Sequence, residues 1–276
     1  MHGFSGEKTG ANNWEWAFNA TDVDKLITFG IVRPMIIVMP DACNQFGGSM
    51  YTNSITTGYW EDFITNDLID FVDSNYRSIP NRESRGIAGH SMGGYGAIKI
   101  AMKHPDIFRS VYGTSSCCMD INPSNFSADR VSEAMSVQNL DSIDKASFGS
   151  KTFLASAAAF SPNPNNPPFY SDFPFKIKGD SLSINENATA RWLANYPSWM
   201  VDQYVTNLQR LHAISFDAGN KDIPGLRESN QSFSDILNRL NVQNTFEVFD
   251  GGHGDKVGER IKTKILPFFS KELVSD

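Results

Sequence analysis

The chain has 276 residues, of which 40% are hydrophobic, 12% aromatic and 20% charged, which is typical of one sizeable globular domain and excludes a disordered chain. A formal net charge of −7 provides no basic surface for a phosphate backbone, so we expect no nucleic-acid partner. No apolar run approaches the roughly 18 residues that cross a bilayer, and the N-terminus lacks the pattern of a signal peptide, so we expect a soluble chain with no membrane partner.

Five short apolar runs are typical of buried parallel strands, and helical spacing of apolar residues separates most of them. Strands that alternate with helices predict an α/β fold with a mostly parallel sheet flanked by helices. The predicted strands are MIIVM (35–39), RGIAG (85–89), SVYGTS (110–115), AISFDAG (213–219) and TFEVF (245–249), and helical patterns cover 60–72, 93–103, 233–240 and 257–269.

Residues 118–211 interrupt this alternation. The proline-rich stretch SPNPNNPPF (161–169) is followed there by many aromatic residues, which a flexible linker would not carry without burying them. We therefore interpret 1–276 as a single domain in which 118–211 is an insertion. Its aromatic side chains either form a lid over the site or cover the sheet.

The stretch GIAGHSMGGYGA (86–97) places one serine among five glycines, between a predicted strand and a predicted helix. Its core, Gly89 to Gly93, fits the nucleophile elbow G-x-S-x-G, in which a sharp turn exposes a serine hydroxyl above the sheet. Glycines are needed beside such a turn because side chains there would collide with neighbouring backbone. We therefore predict that Ser91 is a nucleophile, and that the Met92 amide at the helix N-terminus stabilises an oxyanion.

A serine hydroxyl needs a base, and the chain offers five histidines. His253 follows the last predicted strand in the glycine-rich loop FDGGHGDK, at the end of the sheet where such sites form. The other four lie in a turn, next to the serine, at a helix end or at the opposite end of the sheet. His253 is therefore the predicted base.

The acid of a triad is expected in the loop after the preceding strand, where ISFDAGNKDIPG offers Asp217 and Asp222. Asp217 lies within the end of the strand, whereas Asp222 lies on a loop that can curl toward His253. Reach favours Asp222 as the residue that holds the imidazole in one tautomer. The other interpretation of Asp217 is a strand-end cap or turn residue.

The second oxyanion donor is expected from another loop at the same end of the sheet. HGFSG (2–6) has the right character, and the amide of Phe4 is the candidate. An isolated histidine-glycine pair is a weak signal that also fits an ordinary turn.

Together these motifs resemble the α/β-hydrolases of the esterase D type. This group also holds feruloyl and acetylxylan esterases, enterochelin-esterase-like proteins and S-formylglutathione hydrolases. The resemblance implies the same triad, Ser91, Asp222 and His253. It covers most of the chain and rests on HGFSG (2–6), MIIVMPD (35–41), the specific stretch 71–108, DAGNKD (217–222) and GGHGD (251–255).

The chain departs from these relatives at its first residues. The resemblance implies a central strand before the HG turn, beside the strand that leads to Ser91, but only Met1 precedes His2. We expect either upstream residues, or another segment or chain, to fill that place. An open apolar strand edge favours association, so a homo-oligomer is a possible partner state.

The function that follows is a serine carboxylesterase acting on short acyl or aromatic esters as small-molecule substrates. Alternatives are an S-formylglutathione-type thioesterase, an acyltransferase, or a catalytically silent binding module of the same fold. Three cysteines, Cys43, Cys117 and Cys118, have no zinc-ligand spacing, and the mechanism needs neither a metal nor an organic cofactor. The cellular compartment is left open, with the cytoplasm as the default expectation.

Overall fold

The structure, a computed structural model, describes residues 1–5, 17, 20–121, 128–178 and 181–275. Its helices are α1 (Ala20–Thr28), α2 (Trp60–Asp62), α3 (Leu68–Asn75), α4 (Met92–Lys103), α5 (Ala128–Ser136), α6 (Phe148–Phe160), α7 (Glu186–Leu193), α8 (Pro197–Arg210), α9 (Leu226–Arg239), α10 (Val257–Arg260) and α11 (Leu266–Glu272). Its strands are β1 (Asn53–Ser54), β2 (Gly58–Tyr59), β3 (Gly86–His90), β4 (Ser110–Thr114), β5 (Phe175–Lys178), β6 (Ser181–Ile184), β7 (Ala213–Gly219) and β8 (Thr245–Phe249). None of the helices within these ranges is both long and apolar enough to span a bilayer.

The central sheet has the strand order β3-β4-β7-β8, and each neighbouring pair is parallel. These four strands match four of the five predicted ones, and a helix is the next described element after each of them, so the predicted α/β architecture is confirmed. Single π-helical turns join α2 to α3 and α10 to α11. Because the strands are parallel, their carboxyl ends meet at one edge of the sheet, where the motif residues lie.

The predicted strand at 35–39 is wrong, because these residues form no strand in the structure. They line a cleft of about 830 Å³ that is also lined by Gly86, Ile87 and Ala88 of β3. Ile36 and Val38 are 48% and 39% exposed. A strand exists only through hydrogen bonds to a neighbour, and the cleft separates this segment from the sheet.

Met1 lies against the edge of β3 that faces this cleft. The Met1 amino group donates to the carbonyl of Ala88 at 2.6 Å, and the His90 amide donates to the Met1 carbonyl at 3.2 Å. These two bonds are the pattern of a parallel strand pair. Alternation along a strand turns the N–H and C=O of Gly86 toward the same side, where the described residues place no strand.

The segment 118–211 contributes α5 to α8 and the antiparallel pair β5-β6. Phe153, Phe160, Trp192 and Tyr196 are buried and pack together, and Phe160 also contacts Tyr95 of α4 at a ring separation of 6.0 Å. Most of the aromatic surface that the sequence places in this segment is therefore core. Among the described residues of the segment, three large aromatic side chains are exposed: Phe148, Tyr170 and Trp199.

Candidate active site

Ser91 stands at the sharp turn between β3 and α4, as the sequence predicts. Its φ is 54° and its ψ is −117°, a conformation that residues with a Cβ rarely adopt. The Ser91 amide donates to the carbonyl of Thr114 at 2.9 Å, and its carbonyl accepts from the Tyr95 amide at 3.0 Å. The strained backbone is thus held on both sides, by β4 and by the first turn of α4.

The glycines around Ser91 allow the backbone to approach itself closely. A Cβ on Gly89 would collide with the backbone of Gly93, and a Cβ on Gly93 would collide with the carbonyl of Met1. The turn therefore tolerates no side chain at either position, which answers why so many glycines accompany one serine.

Three side chains form a continuous hydrogen-bonded chain at the carboxyl edge of the sheet. His253 Nδ1 lies 2.7 Å from Asp222 Oδ1, and His253 Nε2 lies 2.9 Å from Ser91 Oγ. A carboxylate only accepts, so Nδ1 carries the proton and Nε2 presents its lone pair to the serine hydroxyl. The structure thus brings together the three residues chosen from the sequence, in the tautomer that a general base needs.

Asp222 is held by several donors besides His253. The Ser115 hydroxyl donates to Asp222 Oδ2 at 2.6 Å, and the Ile223 amide donates to Oδ1 at 2.7 Å. Burial alone would raise the pKa of Asp222, but the hydrogen bonds from His253 and Ser115 outweigh it and hold the pKa below its usual value. Asp222 is therefore a stable anion that faces the imidazole.

Asp217, five residues before Asp222 in the chain, bonds to a different set of partners. Its Oδ2 accepts from Arg260 Nη2 at 2.6 Å and from the Tyr112 hydroxyl at 2.8 Å, and its side chain is fully buried. Burial raises the pKa of Asp217 despite these contacts. The interpretation of Asp217 as a cap or turn residue is therefore wrong, because it anchors a buried ion pair below the site.

His90 is a site residue that the sequence analysis missed. Its Nε2 donates to the carbonyl of His253 at 2.6 Å, and the two rings lie 4.7 Å apart. Burial lowers the pKa of His90 to about 3, so the ring is neutral and fixes the His253 backbone. The remaining histidines contact other groups: His2 the Gly3 carbonyl, His104 the Glu61 carboxylate and His212 the Glu272 carboxylate.

The side chains of Phe4 and Met92, whose amides are the predicted oxyanion donors, lie near each other. Met92 is the first residue of α4, so its amide has no acceptor within the helix. A Cβ on Gly48 would lie 2.5 Å from the Phe4 ring and 2.8 Å from Met92 Sδ, which places both side chains around one glycine. The turn that carries Phe4 is fixed by His2, whose Nε2 accepts from the Ala42 amide at 2.8 Å. Gly6, the last residue of HGFSG, lies outside the described residues.

Within the described ranges, His2, Asp41 and Cys43 form the cluster whose spacing could suit a metal ion. The lone pair of His2 Nε2 is already used by the Ala42 amide, and Asp41 Oδ1 accepts from the Cys43 amide at 2.9 Å. These bonds give the cluster a structural role in the turn, so we assign it no metal.

A family model matches the part of the chain that contains all three residues of the triad. The model of the Esterase family matches residues 2–257, which include Ser91, Asp222 and His253. The chain belongs to the Esterase family. Most of the match therefore lies on the α/β domain described above, with the segment 118–211 inside it.

Individual relatives are similar to shorter parts of the chain. An esterase of Mycobacterium tuberculosis is 35% identical over 82 residues, or 28% of this chain and 17% of that protein. An S-formylglutathione hydrolase of Paracoccus denitrificans is 47% identical over 49 residues, or 18% of this chain and 17% of that protein. The chain thus aligns with about a sixth of the length of these curated relatives.

Solved structures establish the fold. A ferulic acid esterase superposes with a TM-score of 0.63 at 22% identity, over 99% of this chain and 83% of that one. At this level of identity the similarity concerns the fold alone. The Esterase-family chain therefore has an α/β-hydrolase fold, as the sequence resemblance implied.

Proposed function

We propose that this chain is a serine carboxylesterase acting on short acyl or aromatic esters. The observation that carries the proposal is the hydrogen-bonded chain from Ser91 Oγ through His253 to Asp222, with distances of 2.9 and 2.7 Å. Such a chain activates a hydroxyl that is otherwise a weak nucleophile. Family membership supports a hydrolase.

Acylation begins when Ser91 Oγ attacks the ester carbonyl and its proton passes to His253 Nε2. Asp222 stabilises the imidazolium that forms, because its carboxylate faces the Nδ1 proton. The amides of Phe4 and Met92 receive the negative oxygen of the tetrahedral intermediate. His253 then protonates the alcohol as it leaves, and the acyl group remains on Ser91.

Deacylation repeats these roles with water as the nucleophile. His253 Nε2 takes a proton from the water, the same amides hold the second oxyanion, and Ser91 leaves with its proton restored. No step requires redox chemistry. If a sugar hydroxyl replaced the water, the product would be a new ester and the chain an acyltransferase.

The test combines a fluorophosphonate label with a panel of esters. We expect the label to attach to Ser91 and not to a Ser91→Ala variant, and we expect p-nitrophenyl esters of short acids to be hydrolysed. Ser116→Ala is a matched control, since it removes a buried neighbouring hydroxyl that has no hydrogen-bond partner among the described residues and leaves the triad unchanged. A chain that takes up no label and hydrolyses no ester would be a binding module of this fold.

A thioester is the second candidate substrate, favoured by the 47% identity to an S-formylglutathione hydrolase over 49 residues. The same triad serves both substrates, because a thiolate is a good leaving group that needs less help from a general acid. The panel therefore includes S-formylglutathione beside feruloyl and acetyl-sugar esters. A preference for the thioester by orders of magnitude would replace the carboxylesterase proposal.

A further inference from the structure

Two adjacent thiols lie directly beside the nucleophile. Cys117 and Cys118 follow β4, and both are half-buried rather than sealed in the core. The Cys117 amide donates to the Ser91 carbonyl at 3.2 Å, so the dithiol is bonded directly to the backbone of the nucleophile. The proposed mechanism gives neither thiol a role.

The backbone directs both sulfur atoms to the same place. Cys118 has a φ of 53°, in the left-handed region, and the Cys117 thiol donates to Cys118 Sγ at a distance of 3.1 Å. In an extended chain adjacent side chains point to opposite faces. The left-handed turn at Cys118 therefore creates a dithiol that extended backbone would separate.

This dithiol is poorly suited to an internal disulfide. Adjacent Cα atoms are about 3.8 Å apart across a trans peptide, which is shorter than the roughly 4.4–6.8 Å of ordinary disulfides. An atom bonded to both sulfurs at about 2.3 Å, the length of a zinc–thiolate bond, would span 3.1 Å at an angle close to a right angle. Pyramidal trivalent arsenic forms two thiolate bonds at such an angle.

We infer that Cys117 and Cys118 form a chelating site for soft, thiol-seeking electrophiles of the trivalent arsenical class, and that its occupation blocks Ser91. With an arsenic oxide, R–As=O, the two S–H bonds break and two As–S bonds form. The oxygen leaves with both protons as water, and no atom changes oxidation state. The blocking of Ser91 rests on the proposed function, whereas the chelation does not.

The order of the two bonds follows from the surroundings of each thiol. The hydrogen bond to Cys118 and burial raise the pKa of the Cys117 thiol, so less of Cys117 is present as the nucleophilic thiolate than its usual pKa would give. We expect Cys118 to attack first. The second bond is then intramolecular, with the high effective concentration that makes chelation much tighter than binding to one thiol.

The chain after the dithiol connects it to the insertion. The Met119 carbonyl accepts from the Ser198 amide at 2.9 Å, and Asp120 Oδ1 accepts from Trp199 Nε1 at 2.9 Å. The sulfurs therefore belong to a short segment that is bonded to Ser91 on one side and to the start of α8 on the other, and we expect a bulky aryl group to occupy space there. That position obstructs the approach of an ester to the hydroxyl.

The experiment treats the reduced full chain with phenylarsine oxide, removes excess reagent and measures intact mass and remaining thiols. We expect one phenylarsenic per chain and the loss of two of the three thiols. Cys43→Ser should keep the adduct, whereas Cys117→Ser and Cys118→Ser should each lose it on washing. Circular dichroism melting curves establish that each variant is folded.

Fluorophosphonate labelling of Ser91 is measured on the same samples. Labelling should fall with the adduct and return after a dithiol reductant, but not after a monothiol at the same thiol concentration. No washing-resistant adduct on the wild type, or a stable adduct on Cys118→Ser, would overturn the chelation site. Full labelling of an arsenical-loaded chain would overturn the block, while a chain that never labels contradicts the proposed function alone.

Discussion

The carboxyl end of β3 and the open side of the same strand differ in how their polar groups are satisfied. At the carboxyl end, Ser91, His253, Asp222 and Ser115 are linked by hydrogen bonds of 2.6–2.9 Å. On the open side, Met1 supplies two backbone bonds, and a cleft of about 830 Å³ follows. The difference teaches that the triad is assembled by the turns after β3, β7 and β8, where side chains bond to one another rather than to a neighbouring strand.

Substitution of Ser91 or His253, between which the proton passes, should give the largest loss of turnover. We expect Ser91→Ala and His253→Ala each to lower turnover of a short acyl ester by roughly 10⁴–10⁶-fold, because the nucleophile and its base act as a unit. Initial-rate measurements on folded variants check this. Near-normal turnover by either variant would remove the triad assignment.

Asp217 within β7 and Asp222 in the loop after it test whether contact with His253 or burial identifies the acid. Asp222→Asn should lower turnover by about 10⁴-fold, because the amide favours the wrong tautomer of His253. Asp217→Asn should instead lower the free energy of unfolding by about 3 kcal/mol, since it leaves Arg260 partly unpaired in a buried site. Turnover and urea unfolding of both variants decide between them, and the reverse order would move the catalytic role to Asp217.

Ser115 should have a smaller effect through Asp222. Ser115→Ala removes a hydrogen bond to a charged group, worth about 1.5–3 kcal/mol, and we expect turnover to fall roughly tenfold. The folded-state pKa of Asp222 is depressed, so its charge is lost as pH falls through that pKa. Without Ser115 the pKa rises, and activity should fall off at a higher pH.

Ser116 provides the matched control for this variant. Among the described residues its buried hydroxyl has no hydrogen-bond partner, so Ser116→Ala removes a neighbouring hydroxyl without touching Asp222. Its pH profile should overlay that of the wild type. An unchanged profile for Ser115→Ala as well would show that the bond to Asp222 does not tune the acid.

The open side of β3 should affect the oligomeric state, and a dimer would have about twice the mass of the monomer. We propose that residues 1–276 form a dimer or larger assembly, or are poorly soluble, because an exposed apolar strand edge favours pairing with another chain. Ile36→Lys places a charge in the cleft wall and should shift the population toward monomer. Light scattering that shows a monodisperse monomer for the wild type, with full esterase activity, would contradict the proposal.

Local patterns predicted most of the sheet and the residues of the triad. Four of the apolar runs form the strands β3, β4, β7 and β8, because each lies beside a strand to which it hydrogen-bonds. The run MIIVM (35–39) forms no strand, because it borders a cleft instead. Ser91 carried a strong signal, since its turn demands glycine at fixed positions. The catalytic roles of Ser91, His253 and Asp222 stay predictions until turnover is measured.

Contacts between distant segments were not readable from the sequence. His90 supports the carbonyl of His253, 163 residues later, and Ser115 supports Asp222, 107 residues later. Neither residue type at such a position indicates its partner, because the pairing depends on how two loops meet in space. Ser115 also has a φ of 46°, a backbone state that no local pattern predicted.

The backbone of Ser91 places activity in competition with folding. Glycine adopts a φ of 54° and a ψ of −117° with little strain, whereas a residue with a Cβ there costs of order 1–3 kcal/mol. Random substitution followed by selection for stability alone would replace this serine. A serine at this position is therefore what the proposed reaction requires, and Ser91→Gly should gain stability at the expense of that reaction.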